Sequence, residues 1–131
     1  MARHEMHLII PATAEDVLTM RMAISGVGML SGLDVALIGD LRTATNECCD
    51  CLLGRVRMPR QLEGEAVLAD GRLKLVFTAR GVSDTSGKPV DREIAYGILS
   101  TLMPQVELVE DELGIAQIIC SMPAGGDGDN E

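Results

Sequence analysis

An apolar stripe with helical spacing runs through the second quarter of the chain. The stripe consists of Leu37, Leu41, Ala44, Cys48 and Leu52. Because residues three or four apart share one side of an α-helix, the stripe predicts a helix that begins near Asp34 and buries that side. A helix with one apolar side needs a second layer to cover it, so the chain should fold as packed layers.

Local patterns predict further elements around this helix. In chain order they are a strand at 6–10, a helix from Val17, the striped helix, strands at 61–69 and 73–78, a loop at 81–89, a helix at 91–103, and strands at 106–109 and 115–121. Gly26, Gly28 and Gly32 lower the helix propensity of the first helix and mark where it should end. Thr13 and Asp16 have the spacing of a helix cap, and Asp70-Gly71 is a hairpin turn signal.

The resulting order, β-α-α-β-β-α-β-β, predicts the fold class α/β (α+β). We expect a two-layer sandwich in which a mixed, mostly antiparallel sheet is covered on one face by three helices. With 131 residues, the chain is long enough for one domain and too short for two ordinary ones. The expected organisation is one domain over 1–123 and a disordered acidic tail over 124–131.

Charge and aromatic content exclude some classes of partner. The chain has 20 acidic and 11 basic residues, which give a net charge of −9, and it therefore lacks the cationic surface that phosphate backbones require. Phe77 and Tyr96 are its only aromatic residues, so it has no platform on which bases could stack. We expect no direct contact with nucleic acid.

Hydropathy and cysteine use predict a cytoplasmic protein. No apolar run approaches the roughly 20 residues that span a bilayer, and the first residues do not read as a signal peptide, so no membrane association is expected. Cys48, Cys49 and Cys51 crowd together and Cys120 stands alone, which is not a disulfide framework. We expect reduced thiols.

The cysteine cluster is a weak candidate for a metal or redox site. Three cysteines on one helical turn cannot converge on zinc without other ligands. His4 and His7 could be partners, but their odd spacing in a strand points them to opposite faces. Since Cys48 continues the apolar stripe, a buried cysteine in the core is the favoured interpretation, and no metal site is predicted.

Five segments carry a family resemblance. They are LIIPATAEDVLTMRMAISGVG, IGDLRTATNECCDC, DGRLKLVFTARG, YGILSTLMPQVEL and LGIAQIICSM. They resemble segments of the anti-sigma-factor serine kinases. In order, these are the opening strand with the first helix, the second helix with its N-box, the strand that ends in D-x-G, the third helix and the last strand. That family belongs to the histidine-kinase-like ATPase superfamily (GHKL, Bergerat fold).

The resemblance implies particular site residues, with departures from the family pattern. Glu47 matches the N-box glutamate, the implied catalytic base, but Cys51 stands where the magnesium-ligating Asn should be. The D-x-G motif is replaced by Ala79-Arg80-Gly81, which keeps only the glycine. The glycine-rich phosphate loop would fall at Glu93-Ile94-Ala95, which puts a carboxylate where phosphate should bind. Glu47, Cys51 and Gly81 are therefore the candidate nucleotide-site residues.

Two functions follow from the resemblance. The first is an anti-sigma-factor-like regulatory protein that acts by protein–protein binding in bacterial transcription control, with lost or weakened ATP binding and no cofactor. Its implied partners are a sigma factor, an anti-anti-sigma protein and a second copy in a homodimer. The alternative is an active serine protein kinase that uses Mg-ATP with Glu47 as general base. A small-molecule sensor that reuses the vacated pocket is a third possibility.

Two other patterns each have two interpretations. Arg55, Arg57 and Arg60 form the one basic cluster, which could meet an acidic partner, although a solvated loop after a helix C-terminus is the favoured interpretation. The methionines, such as Met20 and Met22, could form an adaptable binding surface, but core filling is their commoner use.

Overall fold

The computed structural model describes residues 3–124, and its architecture is an α+β sandwich of two layers. The elements are β1 (His4–Pro11), α1 (Val17–Leu30), α2 (Val35–Leu53), β2 (Gln61–Ala69), β3 (Arg72–Arg80), α3 (Arg92–Leu102), β4 (Gln105–Asp111) and β5 (Gly114–Pro123). The predicted order of elements and the two-layer fold class are confirmed. The predicted tail lies outside the described residues except for Ala124, whose amide donates to Gly71.

The sheet has the strand order β1-β2-β3-β5-β4. Every strand pairing is antiparallel, so the parallel component that a mixed sheet would need is not found in residues 3–124. Asp70 and Gly71 both have positive φ, which is the geometry of the predicted hairpin turn between β2 and β3.

The three helices cover one face of this sheet. α1 packs on β1 and β2, α2 lies over β3 and β5, and α3 packs beside α2 against β4. Alternate residues of each strand point into the core between the layers, as Leu73, Leu75 and Phe77 of β3 show. The opposite face of the sheet is left open, and this arrangement gives the molecule two different broad surfaces.

Side-chain caps fix where α2 and α3 begin, whereas α1 begins after Asp16 without a side-chain cap. Asp34 accepts a hydrogen bond from the amide of Leu37 at 2.9 Å and so caps α2 as predicted. Asp91 caps α3 in the same way. Thr13 and Asp16 hydrogen-bond to each other in the turn before α1. None of the described helices is long and apolar enough to cross a membrane.

The glycines of α1 do not all end it. Gly26 and Gly28 lie inside the helix, and only Gly32, with φ of +74°, follows its end. Gly28 has a packing reason, because an added Cβ there would lie 2.7 Å from the Cδ2 atom of Leu41. Its missing side chain therefore lets α1 and α2 approach closely.

Candidate functional site

Glu47 and Cys51 lie one turn apart on α2. Glu47 is half-buried, whereas Cys51 is buried. Burial, with a smaller contribution from the charge of Glu47, raises the pKa of the Cys51 thiol to about 11. The thiol is therefore protonated at neutral pH, and a neutral sulfur is a poor ligand for Mg²⁺.

Gly81 lies at the far end of β3, where the chain leaves the sheet. Its φ is +75°, a conformation that favours glycine. An added Cβ would lie 3.2 Å from the Cδ atom of Arg60, and Arg60 also donates through Nε to the carbonyl of Val82 at 3.0 Å. The three atoms nearest to the position of this added Cβ all belong to Arg60.

The loop between β3 and α3 is pinned to the segment that follows α2. Four backbone hydrogen bonds connect 54–58 with 83–90. The donors and acceptors are Met58 N and Thr85 O, Ser83 N and Met58 O, Gly87 N and Val56 O, and Val90 N and Gly54 O. The approach is close at Gly87, where an added Cβ would lie 2.1 Å from the carbonyl oxygen of Arg55. In the family that the sequence resembles, the loop between this strand and the third helix is a longer lid over the nucleotide. Here the corresponding loop is a short segment paired with 54–58.

The first turn of α3 carries carboxylates rather than free amides. The Asp91 side chain accepts hydrogen bonds from the amides of Glu93 at 2.8 Å and Ile94 at 3.1 Å. Glu93 itself is paired with Arg92 at 3.5 Å. Two of the amides that could bind a phosphate already donate to Asp91, so this helix N-terminus is not a free anion-binding site.

The favoured interpretation of the basic cluster, a solvated loop, is wrong for Arg55. Its side chain is buried, with Nη1 donating to the carbonyl of Ile115 at 2.7 Å and Nη2 to Asp111 at 2.9 Å. Hydrogen bonding to this guanidinium lowers the pKa of Asp111. Arg57 and Arg60 are exposed, as a solvated loop requires. Sequence reasoning missed the role of Arg55 because both partners lie more than 50 residues away along the chain.

The cysteines are free and buried. Cys48 of the apolar stripe hydrogen-bonds through its thiol with Cys120 of β5, and this contact and burial raise its pKa well above the usual range. Burial raises the pKa of Cys49 to about 12. The core position predicted for Cys48 is confirmed, and Cys49, Cys51 and Cys120 are buried as well.

A groove lies between α1 and α2 on the helical layer. It encloses about 570 Å³ and is lined by the apolar Leu18 and Met22, by the cationic Arg21 and Arg42, and by Asn46, among others. Leu18 and Met22 are 53% and 67% exposed, so the groove presents two large apolar side chains to solvent. The signal for this groove is in the sequence, because Met22 lies off the helical stripe that α1 buries.

The only group of potential metal ligands in residues 3–124 lies on the open face of the sheet. It consists of His7, Glu63 and Glu65. The alternation of Glu63 and Glu65 in a strand was visible in the sequence, but their position opposite His7 depends on the pairing of β1 with β2. His4 lies on the other face of β1, as the spacing predicts.

The molecule is therefore a two-layer α+β sandwich with a pinned loop at the expected nucleotide position and an open groove between its first two helices. No protein-family model matches the chain, and no curated protein matches it in sequence.

Proposed function

We propose that this protein is an anti-sigma-factor-like regulator that acts by binding another protein, without using ATP. The family resemblance supplies the class of process, bacterial transcription control. The observation that carries the proposal is the pairing of 83–90 with 54–58. A lid that must open and close around a nucleotide cannot at the same time keep these four backbone hydrogen bonds. The burial of Cys51 and the capping carboxylate of Asp91 favour the same conclusion.

The groove between α1 and α2 is the surface that we assign to the partner. Exposed apolar side chains beside arginines are typical of the centre of a protein–protein interface. In a chain with a net charge of −9, Arg21 and Arg42 line one groove and favour an acidic partner segment. The expected partner is a sigma factor or its phosphorylatable antagonist.

We assign homodimer formation, which the resemblance also implies, to the turn between α1 and α2. Met29, Leu30 and Val35 are exposed there, with Val35 87% exposed. Covering such side chains in a dimer would remove apolar surface from water. A separate surface at this end of the helix pair leaves the middle of the groove open to a different protein.

The test begins with crosslinking in cells that express the protein naturally, followed by identification of the partner and titration of the two purified proteins. Charge reversal in the groove with the double variant Arg21→Glu/Arg42→Glu should weaken binding at least about tenfold, since like charges across an interface are costly. The matched control is Lys74→Glu, which reverses one exposed charge on the open sheet face and should change affinity less than twofold.

Two results would contradict the proposal. One is a captured partner with no role in transcription. The other is that a captured sigma factor binds the groove variant and the unmodified protein with equal affinity. This comparison requires that the variant and the unmodified protein melt at similar temperatures.

A further inference from the structure

The open face of the sheet carries three side chains that converge from two strands. His7 lies on the edge strand β1 and pairs directly with Glu65 of β2. Glu63 is two residues away from Glu65, so all three side chains emerge on the same face. Their ligand atoms lie within 4.8 Å of one another.

The spacing of these atoms is close to what one metal ion requires. The Nε2 atom of His7 lies 4.0 Å from an oxygen of Glu65 and contacts an oxygen of Glu63 directly. Two ligands that are each about 2.1 Å from a tetrahedral Zn²⁺ ion are about 3.4 Å apart. Small rotations of the Glu65 and His7 side chains would therefore bring the three atoms to bonding distance of a common centre.

Charge and accessibility also suit a cation. Two carboxylates and a neutral imidazole carry a charge of about −2. The Glu63 side chain is only 19% exposed, which limits its orientation, whereas about half of His7 and Glu65 is exposed and leaves a route from solvent. Arg80, with Nη1 3.7 Å from an oxygen of Glu63, is the one arginine or lysine paired with this group in the described structure.

We propose that His7, Glu63 and Glu65 form a binding site for a divalent transition-metal ion such as Zn²⁺. One imidazole and two carboxylates suit the nitrogen- and oxygen-binding metals, whereas Mg²⁺ and Ca²⁺ prefer oxygen alone. Three protein ligands leave the fourth position of a tetrahedral ion for water. The ion would join the edge strand β1 to β2. This proposal does not depend on the proposed protein–protein function.

The experiment titrates the full chain with ZnCl₂ and, separately, with CoCl₂ in a buffer that does not chelate metals. Calorimetry gives the stoichiometry and affinity, and the visible spectrum of Co²⁺ reports its ligands. We expect one ion per chain, a rise in melting temperature with Zn²⁺, and a Co²⁺ spectrum without sulfur-to-metal charge transfer.

Variants that each remove one ligand identify the residues that bind the metal. His7→Ala and Glu65→Gln should each weaken Zn²⁺ binding at least about tenfold, because each removes one of three ligands. His4→Ala is the matched control, since it removes a histidine from the same strand but the opposite face. It should change affinity less than about twofold.

Three results would overturn the proposal. The first is no binding at about 1 mM Zn²⁺, which would make the cluster an ion pair between strands and nothing more. The second is equal affinity in the His7→Ala variant. The third is a Co²⁺ spectrum with thiolate ligands, which would move the metal to the cysteines. Melting curves of each variant show that it is folded, so loss of binding in a folded variant supports the site.

Discussion

At the scale of single residues, Arg55 connects parts of the molecule that are far apart in sequence. It follows α2 directly, and its buried guanidinium holds both Asp111 and the carbonyl of Ile115 in the β4–β5 hairpin. Replacing it with methionine keeps much of the volume but removes the charged donors. Because Asp111 is partly exposed and can turn to water, the loss comes mainly from the buried carbonyl.

We predict that Arg55→Met lowers the free energy of unfolding by about 2 kcal/mol, the usual contribution of hydrogen bonds to a charged group. Urea denaturation measures this value. The control is Arg57→Met, which removes an exposed arginine two residues away and should change stability by less than about 0.5 kcal/mol. Equal losses in the two variants would contradict the role assigned to Arg55.

The same contact predicts a dependence on pH. Arg55 lowers the pKa of Asp111 below its ordinary value of 3.8, so the folded state favours the ionised carboxylate. This contribution to stability is complete above about pH 4 and is lost as the pH falls below that value. The unmodified protein should therefore lose more stability between pH 5 and pH 3 than Asp111→Asn does, as urea denaturation at each pH would show. A loss of the same size in both proteins would exclude the linkage.

What the sequence reveals about single residues depends on the range of the interaction. The burial of Cys48 could be predicted, because it continues a stripe whose other members lie within a few turns. The burial of Arg55 could not, since nothing local distinguishes it from Arg57. The same limit applies to the candidate nucleotide residues, because the Arg60 contacts around Gly81 come from another part of the chain.

At the scale of elements, the close packing of α1 on α2 depends on one of two neighbouring glycines. Gly26 has open space around the position of an added Cβ, whereas at Gly28 that atom would meet the fully buried Leu41. The two positions share one helix, so substitutions there differ mainly in packing.

We predict opposite effects for these substitutions. Gly26→Ala should stabilise the protein by about 0.5–1 kcal/mol, since alanine loses less conformational freedom in a helix. Gly28→Ala should destabilise it by about 1–3 kcal/mol, since an extra methyl group must displace core side chains. Chemical denaturation of the two variants measures both values. Effects of the same sign would show that α1 and α2 are not in close contact there.

Elements are also the level at which prediction from sequence works best. Periodicity and caps depend on neighbouring residues, and for this reason the limits of α2 and α3 and the hairpin at Asp70-Gly71 could be predicted. The strand order and the exclusively antiparallel pairing could not, because alternation identifies a buried face but not the neighbouring strand. The convergence of His7 and Glu65 depends on the pairing of β1 with β2, and it was missed for the same reason.

At the scale of the whole molecule, the two layers present different chemistry. The helical layer carries a groove with apolar and cationic side chains, and the open sheet face carries the cluster of His7, Glu63 and Glu65. The region that the resemblance assigns to a nucleotide lies at one end of the sandwich, where 54–58 pairs with 83–90. This distribution supports the proposed function, protein binding without ATP.

The most direct test is the melting temperature of the protein with Mg-ATP, with Mg-ADP and with magnesium alone. A ligand at 100 times its Kd would add about 2.7 kcal/mol of stability, which corresponds to a shift of several degrees in a domain of this size. Because we propose that the protein does not bind nucleotide, we expect the same melting temperature in all three solutions at millimolar nucleotide. A shift specific to nucleotide would contradict it and favour the serine kinase, in which case Glu47→Gln should abolish phosphorylation of the partner.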